Sequence, residues 1–303
     1  MSDLPGKTME GRAVAQEIRS KIREQVRALK SKVEPNLATI LSGESPASKA
    51  YLRSVHLACA DVGINSRSIE LPSNITQTKL EDAVSDLNSD RSITGILLQL
   101  PLPKGLDDVA ACATISQEKD VDGLSPCNLG LLYQKGTAKL VPCTPKGVVL
   151  LLKYYGVKIA GKHAVMINRS KLLGRPLAQL LLNEDATVTV CHSKTEGLED
   201  ISKKADILLT GIGRRAEFKV GPNMVKVGAV VVDIGMSSIG GVLLGDVDFN
   251  AVIPVASLVT PVPGGVGPMT IAMIMYNTLT SACSQSGVEL AYNPDELATL
   301  GKF

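Results

Sequence analysis

Three stretches of the chain carry residue types in a spacing that can do chemistry. The first is Asn168-Arg169-Ser170-Lys-Leu-Leu-Gly174-Arg-Pro176, which lies between an apolar run at 164–167 and a helical pattern at 174–183. Strand, glycine turn and helix in that order aim backbone N–H groups and a helix N-terminus at an anion, as dinucleotide loops do. The G-x-G-x-x-G spacing is not met, because position 168 is Asn. Asn tolerates positive φ better than other non-glycine residues, so the turn is expected to survive there. A plain strand–turn–helix connection shares these features. The next apolar run, 187–190, leads into Cys191-His192-Ser193-Lys-Thr195. An NAD site places an acid at that point for the ribose 2′-hydroxyl. Donors and cations stand here instead, with Arg169 and Ser170 nearby, a pattern that suits a 2′-phosphate. The cofactor reads as NADP, with NAD as the alternative.

The second stretch is 95–100, Gly-Ile-Leu-Leu-Gln-Leu, in which Gln99 closes an apolar strand. A buried amide is costly unless it meets a ligand or a hydrogen-bond partner. Asp122 follows in Glu118-Lys-Asp-Val-Asp122-Gly123, where an acid before glycine is equally a turn former. In the third stretch, Pro263-Gly264-Gly265-Val-Gly267 offers backbone without side-chain bulk, suited to close ligand approach. Ser48, Tyr51 and Val55 are three and four residues apart, hence on one face of a predicted helix.

The elements that must position these residues alternate. An amphipathic helix at 9–32 precedes a strand at 37–41, and a helix at 46–62 is closed by Gly63. A strand at 68–71, a helix at 77–88 and the 95–100 strand follow. A second α/β run begins after Pro142-Cys-Thr-Pro145, with helices at 146–155, 174–183 and 198–203 and strands at 164–167, 187–190, 207–210 and 229–234. This is an α/β chain with parallel sheets, the second half doubly wound with its ligand at the strand C-termini. Thr210-Gly211 and Ile234 sit at strand ends. A last helix spans 268–284, and the tail from Gln285 reads as polar and loosely held.

The segments 95–103, Glu118–Gly123, Pro142-Cys-Thr-Pro-Lys-Gly147 and Thr260-Pro-Val-Pro-Gly-Gly-Val-Gly-Pro-Met-Thr270 together resemble the methylenetetrahydrofolate dehydrogenase/cyclohydrolase family, in the expected order over about residues 8–284. The resemblance implies a homodimer. Each subunit would have a folate-binding catalytic α/β domain at 1–145, completed by 272–303 as the C-terminal helix returns to it, and an NAD(P)-binding Rossmann domain at 146–271. It implies oxidation of 5,10-methylenetetrahydrofolate with NAD(P)+ and, in most members, hydrolysis of the methenyl cation to 10-formyltetrahydrofolate. It assigns Tyr51, Gln99 and Asp122 to catalysis. It assigns Ser48, Tyr51, Leu98, Gln99, Leu100, Asp122, Pro263, Gly264, Gly265 and Thr270 to folate. The cofactor set is Asn168, Arg169, Ser170, Gly174, Pro176, His192, Ser193, Thr195, Thr210, Gly211 and Ile234, with no metal.

Two positions depart from the family pattern. Asn168 replaces the usual Gly before Arg-Ser. Val55 stands in Ser48-Lys-Ala-Tyr51-Leu-Arg-Ser-Val55 where the family carries the Lys associated with the cyclohydrolase step. Lys49, Arg53 and His56 are close in sequence but rotated off that face, His56 by about 100°. The expected activity is therefore an NADP-dependent dehydrogenase with weak or missing cyclohydrolase. The alternatives are a bifunctional enzyme with another group replacing Lys, and a non-catalytic folate binder. Retention of Tyr51, Gln99, Asp122 and the Pro-Gly-Gly loop speaks against the last.

Composition narrows the classes further. Lys plus Arg number 32 and Asp plus Glu 30, a net charge of +2, with aromatics at 3% and no Trp. Neither a basic footprint nor a base-stacking surface for nucleic acid is present. Apolar residues at 45% exclude disorder. The six cysteines and three histidines show no metal-type spacing, which suits reduced thiols. No apolar run approaches ~18 residues and the N-terminus lacks an apolar signal region, so a cytoplasmic protein without membrane contact is expected.

Overall fold

The computed structural model describes residues 7–300. The reading of the N-terminus touches residues 1–6, and the C-terminal extension touches 301–303; both lie outside the described residues. In chain order the elements are β1 (Lys7–Thr8), α1 (Gly11–Leu29), β2 (Asn36–Ser42), α2 (Pro46–Val62), β3 (Asn65–Leu71), α3 (Gln77–Ser89), β4 (Gly95–Leu98), α4 (Asp108–Thr114) and α5 (Pro126–Leu131). Then come α6 (Cys143–Tyr154), β5 (His163–Ile167), α7 (Gly174–Asn183), β6 (Thr187–Cys191), α8 (Leu198–Ser202), β7 (Ile207–Thr210), β8 (Val230–Asp233), β9 (Ser237–Ile239), β10 (Val242–Leu244), α9 (Phe249–Val252), β11 (Leu258–Val259) and α10 (Val266–Gln285). The chain divides into two compact units. One gathers Gln16–Cys143 and Ile271–Asn293; the other gathers the chain up to Ala15, Thr144–Thr270 and the stretch from Pro294.

The first unit is built on a parallel sheet of order β3-β2-β4. Central β2 is buried from Leu37 to Ser42, which is why its sequence is a continuous apolar run rather than an alternating one. At the edge, β3 runs seven residues, longer than the 68–71 strand expected. Its added residues Asn65, Ser66 and Arg67 are exposed, so their polarity hid them. Helix α2 has the expected bounds: Ser45 Oγ accepts from the Ser48 amide at 3.3 Å, Pro46 opens the first turn, and Gly63 closes it at φ 83°. Short α4 and α5, which periodicity did not reveal, start at the side-chain caps Asp107 and Ser125. Gln99 falls one residue past β4, though its amide still bonds Ile40 O at 2.9 Å.

The second unit carries a six-stranded parallel sheet of order β1-β11-β8-β7-β5-β6. The chain leaves β5 for β6 and returns to β7 on the other side, so the switch point lies between β5 and β7. Apolar layers cover both sheet faces, with Met166, Leu177 and Leu209 in one layer and Val165, Leu208 and Val231 in the other. A β9–β10 hairpin turning on Gly240-Gly241, both at positive φ, was not expected. The tail beyond Gln285 is tied down, contrary to expectation: Tyr292 and Leu297 are buried, and Asp295 pairs with Lys146 at 2.5 Å. All six cysteines are free thiols. No described helix is long and apolar enough to cross a membrane.

Two carboxylates fix the C-terminal end of this sheet. Asp233 accepts from the amides of Gly235, Asp246 and Val247 at 3.0, 3.0 and 2.8 Å. Asp246, fully buried, accepts from Thr210 Oγ1 at 2.9 Å and from the amides of Ile212 and Gly213 at 2.6 and 2.9 Å. Burial is the main reason the Asp233 carboxyl is pushed up to about 6. Replacing Asp246 with Ala leaves three donors unmet in a dry site and should lower stability by about 3 kcal/mol, at the top of the range for hydrogen bonds to charged groups. Urea denaturation of the variant and the parent measures the loss; a change under about 0.5 kcal/mol, the size of an ordinary surface substitution, would remove Asp246 from this role.

Candidate active site

In the first unit, the loop between α4 and α5 is held from two sides. Buried Lys119 donates from Nζ to the carbonyls of Leu87, Asn88 and Asp90 at 3.2, 2.8 and 2.9 Å, capping the end of α3. Buried Asp120 accepts from the amides of Leu124 and Ser125 and from Asn128 Nδ2 at 3.2, 2.8 and 2.8 Å. Asn277 on α10 donates from Nδ2 to Val121 O and Val141 O at 2.8 and 2.9 Å and reaches Cys143 Sγ at 3.4 Å. At Gly123, a Cβ would lie 2.6 Å from Pro142 N, so the turn needs glycine to dock on the 141–143 segment.

Asp122 sits between these anchors, half-buried, among Asp120, Cys143 and Tyr51. Burial, reinforced by the Asp120 charge, pushes its carboxyl up to about 7; a hydrogen bond from the Cys143 thiol works the other way. Burial raises the Tyr51 hydroxyl well above its usual range, and Asp122 and Cys143 add to the rise. The site thus holds a carboxylate short of donors beside a neutral phenol, which fits a planar ligand carrying N–H groups. Gln99, half-buried, turns its Nε2 onto Leu100 O at 2.7 Å. Leu98 is buried, and Leu100 is half-buried before a cis bond to Pro101.

Helix α2 places Ser48, half-buried, one turn before Tyr51, and Val55 one turn after it. Val55 is 0% exposed and belongs to the apolar face with Leu52, Ala58, Cys59 and Val62. Beside it, the His56 ring is held at both nitrogens, by Thr39 Oγ1 at 3.1 Å and Ser66 Oγ at 2.8 Å. Burial lowers its pKa. The ring therefore serves β2 and β3 rather than the Tyr51 face.

In the second unit, the loop between β5 and α7 folds back on itself. A Cβ on Gly174 would lie 2.1 Å from Asn168 O, so only glycine permits this turn. Helix α7 starts at Leu173 with no side-chain cap; Pro176, buried in the first turn, has no N–H and the Arg175 amide bonds Ser170 O at 3.0 Å, so it is the Gly174 amide that this N-terminus leaves for an anion. This cradle fits the pyrophosphate of a dinucleotide. Asn168 is not at positive φ, contrary to expectation; among described non-glycine residues only Asp185 is. Its side chain shapes the turn instead: Oδ1 accepts from the Ser170 amide at 2.6 Å, and Nδ2 donates to Gly211 O.

Around the cradle, Arg169 and Ser170 are exposed, and Arg175 Nε donates to Arg169 O at 3.1 Å, putting a second guanidinium at the loop. After β6, Thr195 Oγ1 accepts from the His192 amide at 2.9 Å and His192 Nδ1 accepts from the Lys194 amide at 3.1 Å, leaving Ser193 exposed on the turn. Thr210 is fully buried against Asp246, and the Ile234 amide bonds Thr210 O at 2.8 Å. In the same unit, Pro263 follows a cis bond from Val262. Gly264 at φ 118° accepts from the Gly11 amide at 2.9 Å, and Gly265 leaves no room for a Cβ against Pro261 O at 2.7 Å. Thr270 Oγ1 meets Thr144 Oγ1 at 2.9 Å. Among described residues no His, Cys, Asp or Glu group is placed to hold a metal.

Sequence reasoning missed Cys143, Asn277, Asp246 and Arg175. Asn277 had a readable signal, one amide in the apolar run 271–279 of the last helix. Asp246 had none, because its partners Thr210 and Ile212 are more than thirty residues away.

A parallel sheet with a glycine-dependent anion cradle at its switch point, in a chain that also carries a buried donor-seeking carboxylate, defines a dinucleotide-dependent enzyme of α/β class. Residues 9–122 match the family model described as Tetrahydrofolate dehydrogenase/cyclohydrolase, catalytic domain, and residues 142–286 match its NAD(P)-binding domain. The chain belongs to the tetrahydrofolate dehydrogenase/cyclohydrolase family. It is 48% identical over 282 residues to the "Bifunctional protein FolD" of Cenarchaeum symbiosum (strain A), covering 93% of this chain and all of that one. Among solved structures, the bifunctional methylenetetrahydrofolate dehydrogenase/cyclohydrolase of Campylobacter jejuni is 43% identical, with a TM-score of 0.88, over 92% of this chain and 99% of that one. The Trypanosoma brucei enzyme, solved with NADP cofactor and inhibitor, is 39% identical, with a TM-score of 0.87, over 92% and 98%.

The raised Asp122 has a consequence for stability. A carboxyl whose folded pKa exceeds its unfolded value favours the folded state while protonated, and that contribution is lost as pH rises from about 4 through about 7. Asp122→Asn, neutral throughout, should therefore melt several degrees above the parent at pH 8, with the gap closing toward pH 5. Melting curves of both proteins across that range provide the check; a variant less stable than the parent at pH 8 contradicts it.

Proposed function

We propose that this enzyme oxidises 5,10-methylenetetrahydrofolate to 5,10-methenyltetrahydrofolate with NADP+ and hydrolyses the methenyl product weakly or not at all. The observation that carries the second half is Val55, fully buried on the Tyr51 face of α2 where the family pattern has Lys. As the hydride leaves the methylene carbon, the flanking nitrogens take up the positive charge, so this step needs alignment rather than a base. Bound nicotinamide supplies the hydride acceptor. Arg169 and Ser170, with Ser193 on the turn after β6, suit the 2′-phosphate on the adenosine ribose of NADP+. Asp122 accepts from the pterin N–H groups and Tyr51 lies along the ring, while Gln99, just past the end of β4, is the amide that the resemblance assigns to folate.

Hydration of the methenyl cation is a different task. Water must attack the carbon while a proton is moved, work worth ~10²–10⁴-fold when a side chain does it. Val55 has no proton to move, and His56 is engaged at both nitrogens. The bifunctional names of the relatives favour the second reading, in which both activities are present. A homodimer in the cytoplasm belongs to the proposal, and the exposed apolar Ile239, Val242 and Leu243 of the β9–β10 hairpin support the dimer.

Absorbance at two wavelengths follows methenyltetrahydrofolate and NADPH separately. The parent should accumulate methenyltetrahydrofolate, decaying near the buffer rate; hydrolysis as fast as the dehydrogenase establishes the bifunctional reading. Val55→Lys should raise hydrolysis at some cost in stability, since it puts an amine on a buried face. Arg169→Ala should raise KM for NADP+ about tenfold and leave that for NAD+ little changed, the scale of one charge-assisted pair. Equal kcat/KM for the two cofactors in the parent would exclude the NADP preference.

A further inference from the structure

The loops that leave β5 and β7 flank the switch point, and one side chain joins them. Asn168 Nδ2 donates to Gly211 O while its Oδ1 accepts from the Ser170 amide at 2.6 Å. Both polar ends of the amide are therefore turned into the protein. The family's Gly has no side chain with which to make either bond.

Neither end of this bridge is loose. Gly211 lies between Thr210, whose hydroxyl donates to Asp246, and Ile212, whose amide does the same. Gly213 adds a third bond to that carboxylate at 2.9 Å. A Cβ on Gly211 would fall 2.4 Å from a Leu173 methyl, so the two loops also pack tightly. On the other side, Ser170 O accepts from the Arg175 amide at 3.0 Å, and Ser170 Oγ accepts from the Leu173 amide at 3.2 Å. The turn that must receive a pyrophosphate is thus closed internally and fastened by one amide to the rigid exit of β7.

We infer that Asn168 is a positioning residue: its amide latches the β5–α7 loop to the β7 exit across the switch point, so that the loop already has its pyrophosphate-binding shape before a dinucleotide arrives. Glycine at this position gives a loop that must be ordered by the ligand, and ordering costs affinity. The substitution is then a gain in preorganisation rather than an obstruction. This inference rests on the reading of the loop as the cofactor cradle.

Calorimetry with NADP+ alone, without folate, separates the two. Asn168→Gly should weaken NADP+ binding about three- to tenfold, the scale of one lost ordering contribution. In turnover, KM for NADP+ should rise by a larger factor than kcat falls. Hydrogen exchange of the free protein should show the Ser170 and Leu173 amides opening faster in Asn168→Gly, with the difference vanishing at saturating NADP+. Asn168→Asp keeps the acceptor for Ser170 but replaces the donor to Gly211 O with a negative charge; it should weaken binding at least as much, and it carries the test alone if the Gly variant does not fold. Equal or tighter NADP+ binding by the variants than by the parent, or unchanged amide exchange, overturns the latch and leaves the cradle reading intact. A parent that binds neither NADP+ nor NAD+ overturns both.

Discussion

Buried carboxylates holding backbone N–H groups are the interaction on which both candidate sites depend. Parallel strands end in loops whose donors no longer have a neighbouring strand, and unpaired donors in a dry interior are costly. Asp246 answers this at the exits of β7 and β8, where it gathers the amides of Ile212 and Gly213 and the Thr210 hydroxyl, while Asp233 gathers those of Gly235, Asp246 and Val247. Gly235 and Gly245 lack a Cβ where one would strike these carboxylates, so the pair dictates the glycines around it. With the strand exits fixed, the loop at Asn168 has something rigid to fasten to.

The other unit uses the same device toward a different end. Asp120 is fully occupied by Leu124, Ser125 and Asn128, and Lys119 by three carbonyls at the end of α3. Two residues on, Asp122 is held in the same frame without comparable donors, and its acidity drops accordingly. The contrast between neighbours on one loop separates a structural acid from one left short of donors, the one that the proposed function turns toward a ligand. A site that keeps a carboxylate poorly solvated gives up stability in the free protein for strength toward its ligand.

How far the sequence reveals this depends on how local the signals are. Helix α2 was legible to the residue because Ser45, Pro46 and Gly63 announce both ends, and β2 because burial on both faces makes an apolar run. The polar half of β3 was hidden, since an edge strand is defined by backbone pairing with β2 and not by its side chains. Tyr51, Gln99 and Asp122 were legible as candidates through motifs. Their electrostatics were not, because Cys143 and Asn277 reach the loop from elsewhere in the chain. At Asn168 the residue type was visible and its role was misjudged. A tolerance for positive φ was expected, whereas the side chain acts through a carbonyl 43 residues away.

The two departures from the family pattern differ in kind, and the difference follows from what each step of the chemistry requires. Hydride transfer asks for two rings held in register, so what counts is rigidity of the parts that hold them. An amide that ties two loops together preserves that, even though it replaces a residue prized for its freedom. Water attack asks for a group able to pass a proton at the reacting carbon, and no amount of rigidity substitutes for it. Val55 adds apolar packing to α2 and removes a proton carrier from the Tyr51 face. His56 cannot compensate without abandoning Thr39 and Ser66, the contacts that join α2 to the two strands beneath it. The proposed loss of one activity therefore leaves in place both the frame around Asp122 and the loop fastened at Asn168, on which the proposed hydride transfer relies.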